Sequence, residues 1–304
     1  MNGADRLCDA LLAHDVDVCF ANPGTSEMHF VAALDRKPRM RCVLGLFEGV
    51  VTGAADGYAR MADRPAATLL HLGPGLANGL ANLHNARRAH TPMINIVGNH
   101  ATYHLALDAP LTSDIESLAR PMSGWVRTVS DAATIERDLA EAGTAACALP
   151  GVATLILPAD AAWTEGAGTA IARAALPVPP PIDEALVAEV VAAVRSGRRV
   201  AFLLGGKALR AGPLATAAAI AETCGVRLLS DTSNARVERG AGRPHVDRIP
   251  YRIDAAVEAM CDIDVLVLVG TQEPAAFFAY PGKPGRPHRP DCVVIPLATP
   301  ASAL

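Results

Sequence analysis

The strongest constraint on this chain is its rhythm. Short apolar runs ending in Gly, Pro or Asn alternate with helix-period segments from one end to the other. In the first half, strands are predicted at 17–21, 41–46, 66–71, 93–98, 125–129 and 152–157. Helices are predicted at 6–14, 26–34, 48–61, 76–89 and 132–147, with Ser26 placed as an N-cap. Strands that are apolar throughout, separated by helices, build a parallel sheet covered on both faces. The segment 167–181, ending LPVPPP, breaks the rhythm and reads as a linker. Alternation resumes after it, with helices at 183–196 and 214–224 and strands at 199–204, 226–229, 264–269 and 292–296. The residues 271–289, rich in Pro and Gly, read as loop. The expectation is two doubly wound α/β domains, 1–165 and 183–304, joined by a linker at 166–182.

Composition excludes several classes of function. The 304 residues are 51% hydrophobic and 19% charged, which rules out a disordered chain. A mean hydropathy of +0.24 raises the question of a membrane span. The longest apolar runs, VLVLVG at 265–270 and ATLILP at 153–158, are far short of the roughly 20 residues a crossing helix needs. Asp5, Arg6, Asp9 and Asp15 interrupt the apolar core that a signal peptide requires, so a cytoplasmic location is expected. Seven scattered cysteines without a CxxC pair fit buried thiols in a reducing compartment. A net charge of −4 and 4% aromatic residues argue against nucleic acid as a partner.

Ligands of parallel sheets bind beyond the carboxyl ends of the strands, so the residues after each predicted strand matter most. The first is followed by Asn22-Pro23-Gly24-Thr25-Ser26-Glu27, the second by Phe47-Glu48-Gly49, and the third by His71-Leu72-Gly73-Pro74-Gly75. These three loops are expected to meet on one rim. Glu48 stands among Leu44, Leu46, Phe47, Val50 and Val51, and a carboxyl in apolar surroundings is suited to proton exchange near neutrality. The plainer alternative is a carboxylate decorating a helix N-terminus. His71 either faces the rim or is a satisfied turn histidine. The spacing in LGPGLANG is not the dinucleotide fingerprint, because Asn78 stands where that pattern wants its third glycine. Gly205-Gly206-Lys207 is not a P-loop, since Ala201 and Ala208 replace the first glycine and the metal-binding hydroxyl. His100 and His104 lack the glutamate of an HExxH site, so no metal ligand is assigned.

Four segments together carry a resemblance: FANPGTSE at 20–27, FEGVVTGAADGYAR at 47–60, LLHLGPGLANGLANLHNA at 69–86 and TPMINIVGNH at 91–100. They resemble the pyrimidine-binding domain of thiamine-diphosphate enzymes of the acetolactate synthase and benzoylformate decarboxylase group. The second half looks like the central domain of the same enzymes, more loosely. The resemblance implies that Glu48 hydrogen-bonds the aminopyrimidine ring and so activates the cofactor toward a 2-oxo acid. It implies that Pro23, Gly24, Gly75 and Asn78 line the pyrimidine pocket, and that Thr25 and His71 lie near the substrate. A homodimer or homotetramer is implied as well.

The likeness is mixed in one respect. His71 matches the decarboxylase branch, whereas Gly73-Pro74-Gly75 matches the synthases, and Pro110-Leu111 stands where synthases have Phe-Gln. Carboligation to an acetohydroxy acid is the first expectation, and simple decarboxylation the alternative. The family binds Mg²⁺ and the diphosphate through GDG and NN segments of a further domain, and this sequence contains neither. The expectation is therefore a truncated chain, inactive alone, with a non-catalytic binding or regulatory module as the reading from another class. FAD, which synthases of the group often carry in the central domain, is possible here, although no residue demands it.

Overall fold

Alternation of apolar strands and helices places every strand among the described residues in one of two parallel sheets. The structure, a computed structural model, describes residues 1–148, 151–166, 174–176 and 178–304. It divides into two units, Met1–Val178 and Pro179–Leu304. Much of the expected linker, 167–173 and 177, lies outside the described residues.

The first unit opens with α1 (Gly3–Ala13), capped by Asn2, whose side chain accepts from the Asp5 N–H. Then come β1 (Val18–Asn22), a 3₁₀ turn (Thr25–Glu27), α2 (Met28–Arg36), β2 (Arg41–Leu44) and α3 (Glu48–Ala62). The central strands β3 (Ala66–Leu70) and β4 (Met93–Asn99) flank α4 (Leu72–Arg88). The unit closes with α5 (Ile115–Ala119), β5 (Trp125–Thr128), α6 (Ile135–Ala148), β6 (Val152–Pro158) and α7 (Ala159–Trp163). The sheet order is β2-β1-β3-β4-β6-β5, all parallel.

Alternate residues of each central strand enter opposite cores, as the two-residue period of a strand requires. Ala67, Leu69, Ile94, Ile96, Ala153 and Leu155 pack under α1, α2, α6 and α7. Ala66, Leu70, Met93, Val97, Val152 and Ile156 pack under α3, α4 and α5. Burying each Leu or Ile contributes about 1.5–3 kcal/mol, so the register is firmly set. Within the second face a polar row crosses the sheet. Thr68 Oγ1 donates to Asn95 Oδ1 at 2.9 Å, and Asn95 Nδ2 donates to Thr154 Oγ1 at 3.1 Å.

The second unit contains α8 (Glu184–Arg195), β7 (Val200–Leu204), α9 (Ala211–Cys224), β8 (Arg227–Ser230), β9 (Asp247–Arg248), α10 (Ile253–Met260), β10 (Val265–Val269) and β11 (Val293–Ala298). Its parallel sheet runs β11-β10-β7-β8-β9. Val200, Phe202 and Leu204 face α8 and α9, while Ala201 and Leu203 face α10. Both sheets are thus doubly wound, and the α/β class is as expected.

Two local expectations are corrected, and four short elements are added. Ser26 does not cap a helix, because it lies inside the 3₁₀ turn and α2 starts at Met28 without a side-chain cap. Helix α4 begins at Leu72, so Gly73-Pro74-Gly75 forms its first turn and not a loop before it. Proline is tolerated there, since first-turn N–H groups have no intrahelical partner. Short α5, α7, α10 and β9 had no periodic signal long enough to reveal them.

Candidate active site

Strand β1 connects to β2 on one side, and the chain then crosses to β3 on the other. This reversal is a topological switch point, where the loops after neighbouring strands separate and leave a crevice. The loops after β1, β2 and β3 converge there. Asn22, the last residue of β1, donates from Nδ2 to the Gly45 carbonyl at 2.7 Å and ties the first loop to the second.

Glu48 is the first residue of α3 and is buried, with 8% of its surface exposed. Its carboxylate meets α4 directly: Asn78 Nδ2 donates to Oε2 at 3.0 Å. A Cβ added to Gly75 would stand 3.0 Å from Oε1, so glycine is what leaves that oxygen room. The two helices are clamped behind it. Thr52 Oγ1 donates to the Glu48 carbonyl at 3.0 Å and lies 3.2 Å from that of Gly79, while Asn82 Nδ2 donates to the Gly49 carbonyl at 2.6 Å. Glu48 therefore sits at a helix N-terminus and also belongs to a constructed site.

His71 precedes α4 as its N-cap residue. Leu72, next in sequence and buried, holds φ at 54°, a left-handed conformation that bulky residues avoid. The His71 side chain pairs through Nδ1 with Glu27 Oε2 at 2.8 Å. The same oxygen accepts the Gly24 N–H at 2.8 Å. A Cβ on Gly24 would collide with the imidazole ring, which explains glycine at that position.

Glu27 is the residue that sequence reasoning missed. It is 2% exposed, and burial raises its pKa from the ordinary carboxylate value, against the opposing pull of the Gly24 N–H and His71. The signal was present, because an acid three residues after Gly24 is spaced to receive that glycine's N–H. Thr25, in the 3₁₀ turn, is exposed, and Pro23 is half-buried; no side-chain hydrogen bond joins Thr25 to the others among the described residues. Thus Gly24, Glu48, His71, Gly75 and Asn78 come together through direct contacts, and Pro23 and Thr25 lie on the adjoining loop.

The residues fit an aminopyrimidine. A buried carboxylate fixed by an amide, next to a position kept free of a side chain, is what hydrogen bonding to a flat heteroaromatic ring needs. Among the described residues no group of three or more His, Cys, Asp or Glu side chains is placed to hold a metal. His100 and His104 lie with ring centroids 5.6 Å apart and stand as a pair only. In the second unit, a Cβ on Gly205 would lie 2.6 Å from Thr271 Cβ and 2.9 Å from the Gly270 carbonyl. Packing between the loops after β7 and β10 accounts for that glycine. No described helix is long and apolar enough to cross a membrane.

Residues 1–118 match the family model described as "Thiamine pyrophosphate enzyme, N-terminal TPP binding domain". Residues 1–118 are thus a thiamine pyrophosphate enzyme N-terminal domain, and the chain as a whole is similar to an acetolactate synthase large subunit. It is 52% identical over 303 residues to a Mycobacterium tuberculosis protein named "Putative acetolactate synthase large subunit IlvX", covering 100% of this chain and 58% of that one. It is 32% identical over 207 residues to benzoylformate decarboxylase of Pseudomonas aeruginosa, covering 65% of this chain and 38% of the relative. In fold it resembles the thiamine diphosphate-dependent 4-hydroxybenzoylformate decarboxylase of Rhodococcus jostii RHA1, with a TM-score of 0.84 at 20% identity, over 97% of this chain and 56% of that one. The chain spans less than two thirds of the length of each.

Proposed function

We propose that residues 1–165 form the pyrimidine-binding half of a thiamine-diphosphate site acting on a 2-oxo acid, and that 183–304 form the central domain of such an enzyme. The observation that carries this reading is the buried Glu48 carboxylate held by Asn78, with Gly75 leaving space at its other oxygen. Thiamine diphosphate, when bound, supplies the electron sink for decarboxylation of the 2-oxo acid. Glu48 would hold or release a proton at the pyrimidine ring, and Asn78 and the first turn of α4 would fix the angle at which it does so. Gly24 and Pro23 would shape the pocket wall. Residues other than these would hold Mg²⁺ and the diphosphate, and a homodimer or homotetramer is the assembly proposed. A cytoplasmic location accords with this reading.

Carboligation to an acetohydroxy acid, as in acetolactate synthases, is the first reading of the overall reaction. The His71–Glu27 pair favours a second, because an imidazole held against a carboxylate can return a proton to the decarboxylated product and release an aldehyde. The experiment joins this chain to the diphosphate-binding domain of the P. aeruginosa relative. CO₂ release from 2-oxo acids is expected, with Glu48→Gln lowering it by about 100-fold or more, within the range for acid–base groups. Undiminished activity in that variant would overturn the assignment. Acetohydroxy acid against aldehyde as product decides between the two reactions. Absence of turnover in a folded chimaera that also fails to bind the cofactor would favour a non-catalytic module.

A further inference from the structure

The Glu27 carboxyl is unusually confined. Oε2 is shared between the Gly24 N–H and His71 Nδ1, both at 2.8 Å. Oε1 is buried, has no hydrogen-bond partner among the described residues, and is pressed against Gly98 at the carboxyl end of β4, where an added Cβ would overlap it. A side chain at 98 would therefore displace the carboxyl from His71. The acid is thus held from below by a glycine of one strand and from the side by the backbone of the loop after another.

These contacts constrain the imidazole. Oε2 already accepts from a backbone N–H, which can only donate. An ionised carboxylate offers acceptors alone, so the ring nitrogen facing it must carry hydrogen. The other nitrogen, Nε2, has no hydrogen-bond partner among the described residues, and the side chain is 22% exposed. A carboxylate behind a histidine commonly decides which nitrogen is protonated. Free imidazole, by contrast, prefers hydrogen on Nε2.

We infer that Glu27 and Gly98 are positioning residues for His71: they hold hydrogen on Nδ1 and turn Nε2 toward the site as the nitrogen that accepts or returns a proton. Glu27 is not a catalytic residue in this scheme, since its hydrogen bonds among the described residues go to His71 and Gly24 and its other oxygen rests on Gly98. Its use in the reaction rests on the proposed thiamine-diphosphate reading, but the tautomer is a property of this chain by itself. The two stand or fall on different measurements.

The test is long-range ¹H–¹⁵N NMR of the ¹⁵N-histidine-labelled chain at a pH where the imidazole is neutral, with His71 assigned by His71→Asn. The wild-type ring is expected to show Nδ1 in the protonated range and Nε2 in the unprotonated range. Glu27→Gln, whose amide oxygen can take the shared position and accept both hydrogens, is expected to keep hydrogen on Nδ1, whereas Glu27→Leu removes the acceptor and is expected to move it mainly to Nε2. Gly98→Ala is expected to shift it the same way without touching the acid's chemistry. A wild-type His71 with hydrogen on Nε2 would overturn the inference, and so would an unchanged tautomer in a folded Glu27→Leu protein. Should the variants fail to fold, the wild-type spectrum still decides. A failed Glu48→Gln experiment would sink the cofactor reading and leave this result standing.

Discussion

Asn78 donates to the Glu48 carboxylate from the second turn of the neighbouring helix, at 3.0 Å. Asn78 is itself exposed, so the contact serves the carboxylate more than the core. In the chimaera, Asn78→Ala is expected to weaken thiamine-diphosphate binding by about 3–10-fold, the loss of roughly 1 kcal/mol that one hydrogen bond contributes. Thermal stability should hardly move. Calorimetric titration beside a melting curve checks both, and a large fall in melting temperature with unchanged affinity would contradict the site reading.

Gly75 separates stability from function in another way. Alanine gains about 1 kcal/mol in helix propensity over glycine. Its Cβ would stand 3.0 Å from Glu48 Oε1 and 3.3 Å from His71 Cβ, so crowding offsets that gain. Gly75→Ala is expected to leave denaturant stability within about 1 kcal/mol of wild type. Activity of the chimaera should nevertheless fall by at least tenfold, which steady-state kinetics would show.

Asp138 marks where the first unit is most vulnerable. Its carboxylate, 1% exposed, accepts from Arg127 Nη1 and Arg137 Nη2 at 2.9 Å and from Thr134 Oγ1 at 2.9 Å. Removing one partner of a buried pair costs about 3–5 kcal/mol. Arg127 can reach water, so Asp138→Ala is expected near the lower end, about 3 kcal/mol in urea unfolding. A loss below 1 kcal/mol would show that water replaces the carboxylate freely.

Cys8 gives a pH dependence with a definite sign. Burial, reinforced by Asp9 and Asp5, pushes its thiol up to about 12 from 9.0. Between those values the unfolded chain binds fewer protons at this site than the folded one, so stability falls as pH rises. Relative to Cys8→Ala, the wild-type protein is expected to lose up to about 1.4 kcal/mol per pH unit above pH 9, and nothing below it. Urea midpoints at pH 8, 9.5 and 10.5 would establish the slope. At pH 8 the exposed Cys42, Cys224 and Cys261 should alkylate before Cys8 does, which mass spectrometry can follow.

Much of this architecture was legible because long apolar runs leave little choice. Val265-Leu266-Val267-Leu268-Val269 can hardly be other than a covered strand, although its place beside β7 is visible only in the structure. Glu48 was legible because a lone carboxyl among apolar residues stands out. Glu27 was not, since Thr25-Ser26-Glu27 reads as an ordinary polar turn, and nothing local says that β4 will bury it. The same holds for Gly98, which looks like an unremarkable strand residue until Glu27 folds against it. The start of α4 was misplaced because Gly-Pro-Gly is common in turns, and only the packing of Leu72 draws it into the helix. Long-range contacts are what a sequence pattern conceals.

The site's parts leave the ribosome in chain order, ahead of the strand on which one of them rests. Pro23 through Asn78 are synthesised first, yet Gly98, which backs Glu27, lies on β4, and β4 gains its other neighbour only when β6 emerges. A nascent chain carrying every residue that would face the pyrimidine still lacks the floor on which one of them rests. Competence to position His71 is thus acquired late, as a by-product of completing the sheet.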